Sequence, residues 1–144
     1  DPERCLERLR AQFDYAPRRV VLTTPNIAFL VTRVALLLGQ FNYGKAGILD
    51  RTHTRLFTFR TLRYLLADAG FRIDEIRGVP APFPKVFGDG VVGRGLTALN
   101  LLAIRVSRTL FSYQIFVVAT PTPDVEFILA DSTRRNTLAD RTSA

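Results

Sequence analysis

Apolar residues recur at helical spacing in "DPERCLERLRAQF", where Leu6, Leu9 and Phe13 share one face. Asp1 as N-cap, Pro2 at the first helical position and Glu3 in the first turn mark the start of that helix. "YAPRR" interrupts it. The β-branched run "VVLTT", ended by Pro25 and Asn26, predicts a buried strand. "IAFLVTRVALLLGQ" is apolar on nearly every side and closes on Gly39, which predicts a helix over 27–38. It falls short of the roughly 20 residues a membrane span requires and contains Arg33, so a buried or surface-inserted helix is expected. "TFRTLRYLLADAGF" predicts a helix capped by Thr58 and stopped by Gly70, with Leu62, Leu65, Leu66 and Ala69 on one face.

"RIDEIRGV" reads as an exposed or edge strand, and "PAPFPKVFGDGVVGRG" as a long loop, because alternating prolines and repeated glycines oppose regular structure. Long loops inside compact domains are usually functional or mobile. An apolar helix follows over 96–106, and "SYQIFVVATP" is a strand rich in β-branched and aromatic residues. Residues 121–144 are polar apart from "VEFILA" and are expected to form a partly disordered tail. The element order favours an α/β layer fold on a mostly parallel sheet. Three strands make a thin sheet, so residues 1–120 read as half of a domain.

Composition and charge sharpen this picture. The chain of 144 residues is 47% hydrophobic and 23% charged, which fits a globular protein. It contains no methionine and opens on Asp1, so we expect a cut piece of a longer protein or a processed chain. The single cysteine, Cys5, excludes an internal disulfide framework and reads as a small packing residue. A charged helix start in place of an apolar leader suggests a cytoplasmic setting. The net charge of +7 comes from arginines scattered along every segment rather than gathered on a stripe, so no nucleic-acid partner is expected. A solubilising surface, or an anionic membrane or lipid-phosphate partner, remains.

Polar chemistry concentrates in "GILDRTHTRLFT", between two helical segments. His53 is the chain's only side chain whose ordinary titration lies near neutrality. Asp50, three residues earlier, could orient it. Alternatively, Asp50 caps a turn while His53 and Arg55 hold the loop through backbone hydrogen bonds. Asn26 could contact a ligand beside the carboxyl end of its strand or cap the next helix. Asn42 and Tyr43 could line a pocket, or "FNYG" could be a tight turn packed by Phe41 and Tyr43.

The series "RVVLTTPN", an apolar helix, "FNYGKAGILDRTHTRLFT", "FRTLRYLLADAGF" and "YQIFVVA" resembles the C-terminal half of a class I S-adenosylmethionine-dependent methyltransferase. The match is to the broad group acting on small molecules, quinone precursors and sugars. The longer runs "GQFNYGKAGILDRTHTRLFTFRTL", "GVPAPFP" and "LFSYQIFVVA" are similar to methyltransferase modules fused behind a glycosyltransferase in bacterial chains.

The resemblance implies a Rossmann-like sheet of seven strands whose last strand runs antiparallel between its neighbours. Residues 20–24 would be the fifth strand, 72–77 the sixth and 113–119 the seventh. It further implies that the segment after the fifth strand roofs the acceptor pocket. His53 would then be the candidate base with Asp50 beside it, and Asn26, Asn42, Tyr43 and Arg55 would meet the acceptor. The acceptor would be a small molecule or a glycan- or lipid-linked group. The glycine-rich turn and carboxylates that hold S-adenosylmethionine in this family are absent. The cluster "GDGVVGRG" has no carboxylate at the expected distance after it, so this chain alone should not bind the cofactor. The partner implied is the N-terminal half of the same domain. A second class of function stays open: a non-catalytic binding or membrane-attachment module built on the apolar helices 27–38 and 96–106.

Overall fold

The computed structural model describes residues 1–12, 18–44, 47–51 and 53–122. Its elements, in chain order, are α1 (Pro2–Gln12), β1 (Val20–Pro25), α2 (Leu30–Leu37), α3 (Phe59–Asp68), β2 (Phe71–Val79), α4 (Phe83–Phe87), α5 (Val91–Val106), α6 (Arg108–Phe111) and β3 (Gln114–Pro121). The expectations for Phe13, for "YAPRR" and for the tail beyond Thr122 lie outside the described residues.

The three strands form one sheet in the order β1–β3–β2. β3 pairs antiparallel with both neighbours, so β1 and β2 point the same way without touching. The architecture is mixed α/β with a small antiparallel sheet and flanking helices. The expected mostly parallel sheet is corrected on this point. Two strands that are parallel in direction leave a slot between them, and the last strand fills it from the opposite direction.

One sheet face carries the core. Val20 and Leu22 on β1, with Ile115, Val117 and Ala119 on β3, pack beneath Leu6 of α1 and Leu62, Leu65 and Leu66 of α3. On β2 the inward positions Ile73 and Ile76 are three residues apart, which a strict period of two forbids. A bulge between Ile73 and Glu75 inserts Asp74 as the extra residue and restores Ile76 to the core side. The opposite sheet face is open: Val21 is 59% exposed, and Arg77 lies over the Phe116 ring at 4.5 Å. The expected fully buried first strand is thus buried on one face only.

Helix ends follow from their capping residues. Asp1 Oδ1 accepts from the Glu3 amide at 3.2 Å, opening α1. Thr58 and Thr61 cap α3 reciprocally, with each side chain accepting the other's backbone N–H. Gly39, at φ 70°, closes α2: its amide bonds the Leu36 carbonyl, and the Gln40 amide bonds that of Ala35. This paired arrangement is the Schellman motif, which needs a residue that tolerates the left-handed region.

Three further expectations need correction. The helix expected over 27–38 begins only at Leu30, because the backbone after Asn26 first makes a turn. The expected long loop contains α4, and α5 starts at Val91 rather than Leu96. Pro84 sits in the first turn of α4, where its missing N–H costs nothing, and Gly88, at φ 76°, turns the chain into α5. Gly93 lies so close to the Gly88 carbonyl that a Cβ there would overlap it. Cys5 is exposed rather than packed, since α1 turns Leu6 and Leu9 inward instead.

Candidate functional site

The segment 40–57 returns to the carboxyl end of β1. Asn26 and Phe57 form a parallel bridge, and the Ile27 amide donates to the Phe57 carbonyl at 3.0 Å. Open α/β sheets bind ligands at the carboxyl ends of their strands. The chain's polar loop therefore stands at that end.

Within the loop, the Gly44 amide donates to the Leu49 carbonyl at 2.8 Å and Gly44 bridges Asp50. The His53 amide donates to the Asp50 carbonyl at 3.1 Å. The imidazole is half-buried, and its Nδ1 lies 3.3 Å from the Ile48 carbonyl. A carbonyl can only accept, so Nδ1 carries a proton, and in the neutral ring the lone pair then sits on Nε2. That is the tautomer a proton acceptor needs. The ring is oriented by Ile48, and Asp50 meets His53 through its backbone carbonyl.

Arg55 forms an ion pair with Glu3 of α1 and lies 5.4 Å from the Phe57 ring centroid. Its guanidinium fastens the loop to the first helix. Asn42 and Tyr43 are exposed, and Tyr43 packs edge-to-face on Phe41 with ring centroids 5.4 Å apart. Thus His53, Asp50, Asn42 and Tyr43 share one loop, with Arg55 holding its far end.

Asn26 has a different place. It is fully buried, and its Nδ2 donates to the carbonyls of Thr109 and Ser112, each at 2.8 Å. Its Oδ1 accepts from the Ala28 amide at 3.1 Å, and its own amide donates to the Tyr113 carbonyl at 3.0 Å. Both amide hydrogens are committed to backbone, so Asn26 is a junction of β1, α6 and β3 rather than a group facing a ligand. It caps the turn before α2, whose own N-cap, Phe29, makes no side-chain cap hydrogen bond.

Two residues at this end were not singled out by sequence reasoning. Asn100 repeats the work of Asn26: its Nδ2 donates to the Phe111 carbonyl at 3.0 Å, and its Oδ1 accepts from the Ala81 amide at 3.0 Å. The carbonyls ending α6 are those a helix leaves unpaired, and two asparagines take up three of them. A polar residue inside "LTALNLLAI" was the available signal. Tyr113 bridges the strand ends, with its amide donating to the Val79 carbonyl at 2.9 Å and its ring edge-on to Phe29 at 5.9 Å. Its hydroxyl lies near Gly47, at van der Waals distance from where a Cβ would stand.

Among the described residues no group of histidine, cysteine and carboxylate side chains could hold a metal ion. The glycines of "GDGVVGRG" belong to the α4–α5 turn and to α5 itself. No family model matches the chain, and no curated protein does.

Proposed function

We propose that this chain is the acceptor-side part of an S-adenosylmethionine-dependent methyltransferase. The observation that carries the reading is the strand order. Two strands running in one direction, with the final strand antiparallel between them, is the arrangement the resemblance implies for the fifth, seventh and sixth strands. The loop bearing His53 stands at the carboxyl end of the strand matched to the fifth, which supports the same reading.

The described residues do not themselves fit the cofactor, since they lack the glycine-rich turn and the carboxylate that would hold it. In this proposal the rest of the domain binds S-adenosylmethionine, which supplies the methyl group. The chain's own residues hold and deprotonate the acceptor. His53 Nε2 takes the proton from an acceptor hydroxyl or amine, and the Ile48 carbonyl keeps that nitrogen available by binding Nδ1–H. Asn42 and Tyr43 flank the acceptor, while Arg55 and Glu3 hold the loop over it.

The test uses a longer protein in which this chain follows the proposed cofactor-binding half. Radiolabelled S-adenosylmethionine is supplied with extracted small molecules and lipids as acceptors. Label should transfer to one fraction, and His53→Gln should lower that transfer by about 10²- to 10⁴-fold while cofactor binding is kept. Unchanged transfer in the variant would remove His53 from the mechanism, and absence of transfer to any fraction would count against the enzyme.

A further inference from the structure

Helices α2 and α5 are inverted relative to what water favours. α2 buries Thr32 and exposes Val31, Val34, Leu36 and Leu37, the last at 86%. α5 buries only Gly93 and Asn100. Its residues Val92, Leu99, Leu102 and Val106, spaced i, i+7, i+10 and i+14, form one outward stripe in which every member is more than half exposed. A surface helix in water turns its apolar stripe inward. Small and polar residues inward, with branched aliphatics outward, is the pattern of helices that face lipid.

Charge selects among the surfaces that could cover these stripes. α2 carries Arg33, and α5 carries Arg94 and Arg105, with no acidic side chain on either helix. Lys85 sits beside the exposed Val86 and Phe87 on α4. Both stripes arise at one end of the sheet, because α2 follows β1 while α4 to α6 connect β2 to β3. α5, with 16 residues, is about 24 Å long at the helical rise, shorter than a hydrocarbon core of roughly 30 Å. Among the described residues no helix is long and apolar enough to cross a membrane.

We propose that α2 and α4–α5 lie in the plane of an anionic bilayer interface, docking this end of the sheet onto the membrane. Apolar side chains enter the acyl boundary, and the arginines meet lipid phosphates. The docking stands independently of the methyltransferase reading. Together the two narrow the acceptor to a lipid-linked one.

Vesicle flotation of the chain tests this, comparing phosphatidylcholine vesicles with vesicles that also contain phosphatidylglycerol. The chain should float with the anionic vesicles and keep part of its binding in high salt. Two charge-inserting pairs, Leu37→Glu with Leu38→Glu and Leu99→Glu with Val106→Glu, alter exposed positions, and circular dichroism checks that their fold is kept. Each pair should lower partitioning on the order of tenfold or more. Arg33→Gln with Arg94→Gln and Arg105→Gln should erase the preference for anionic lipid. Lack of flotation, or flotation that the glutamate pairs leave unchanged, would overturn the proposal. So would burial of the stripes in a dimer that sediments as such and ignores vesicles. Cofactor binding by the longer protein is read separately, so failure here leaves the methyltransferase reading untouched.

Discussion

Replacing Asn26 by alanine removes three hydrogen bonds at a fully buried position. The carbonyls of Thr109 and Ser112 and the amide of Ala28 then lose their side-chain partner. A buried group left unpaired costs about 1 to 3 kcal/mol, and because the Thr109 carbonyl is only part-buried the total for the three groups falls near the low end, roughly 3 to 5 kcal/mol. That is a large share of the roughly 5 to 15 kcal/mol by which domains are stable. Urea unfolding followed by far-ultraviolet circular dichroism reads it as a lower midpoint at constant slope. Asn100→Ala should show a smaller loss, having two such bonds, and the double variant should cost less than the sum because both asparagines hold the end of α6. A loss below about 1 kcal/mol for Asn26→Ala would refute the junction role and return Asn26 to the ligand-facing reading.

Three other perturbations follow from the same structure. Ser112 Oγ is buried without a hydrogen-bond partner, so Ser112→Ala should be neutral or stabilising by up to about 1 kcal/mol in the same unfolding experiment. Gly78→Ala should destabilise by about 1 to 3 kcal/mol, because its Cβ would overlap Ser112, and Ser112→Gly should restore part of the loss. The Asp74 carboxyl is held below its ordinary 3.8, first by the Thr120 hydroxyl and, against the opposing effect of burial, by Arg72. A lowered value means the folded state prefers the charged form, so this stabilisation is present above 3.8 and is lost as pH falls through the lower folded value. Asp74→Asn should therefore be less stable than the parent at neutral pH, with the gap closing in acid.

Local signals in the sequence carried much of the architecture. Thr58, Gly39 and Gly70 each terminate a helix through backbone chemistry that needs no distant partner, so α3 and the end of α2 were legible. The alternation in "YQIFVVA" foretold β3, whose inward residues are buried in turn. Proline and glycine in "PAPFPKVFGDGVVGRG" argued for a loop, yet Pro84 in a first helical turn and Gly93 under the Gly88 carbonyl both fit helices. The apolar run in α2 allowed a buried or a surface-inserted helix, and the core face of the sheet is filled by α1 and α3 instead. At the candidate site, the pairing of Arg55 with Glu3 and the capture of Thr109 and Ser112 by Asn26 join residues dozens of positions apart. Sequence spacing carries no record of such contacts.

The methyltransferase proposed above requires that a cofactor-binding half complete this sheet. Calorimetric titration of S-adenosylmethionine into this chain, and into a longer protein joining it to the proposed cofactor-binding half, measures that requirement. The chain alone should show no measurable binding, and the extended protein saturable one-to-one binding. Failure of the extended protein to bind, or equal binding by the chain alone, would contradict it.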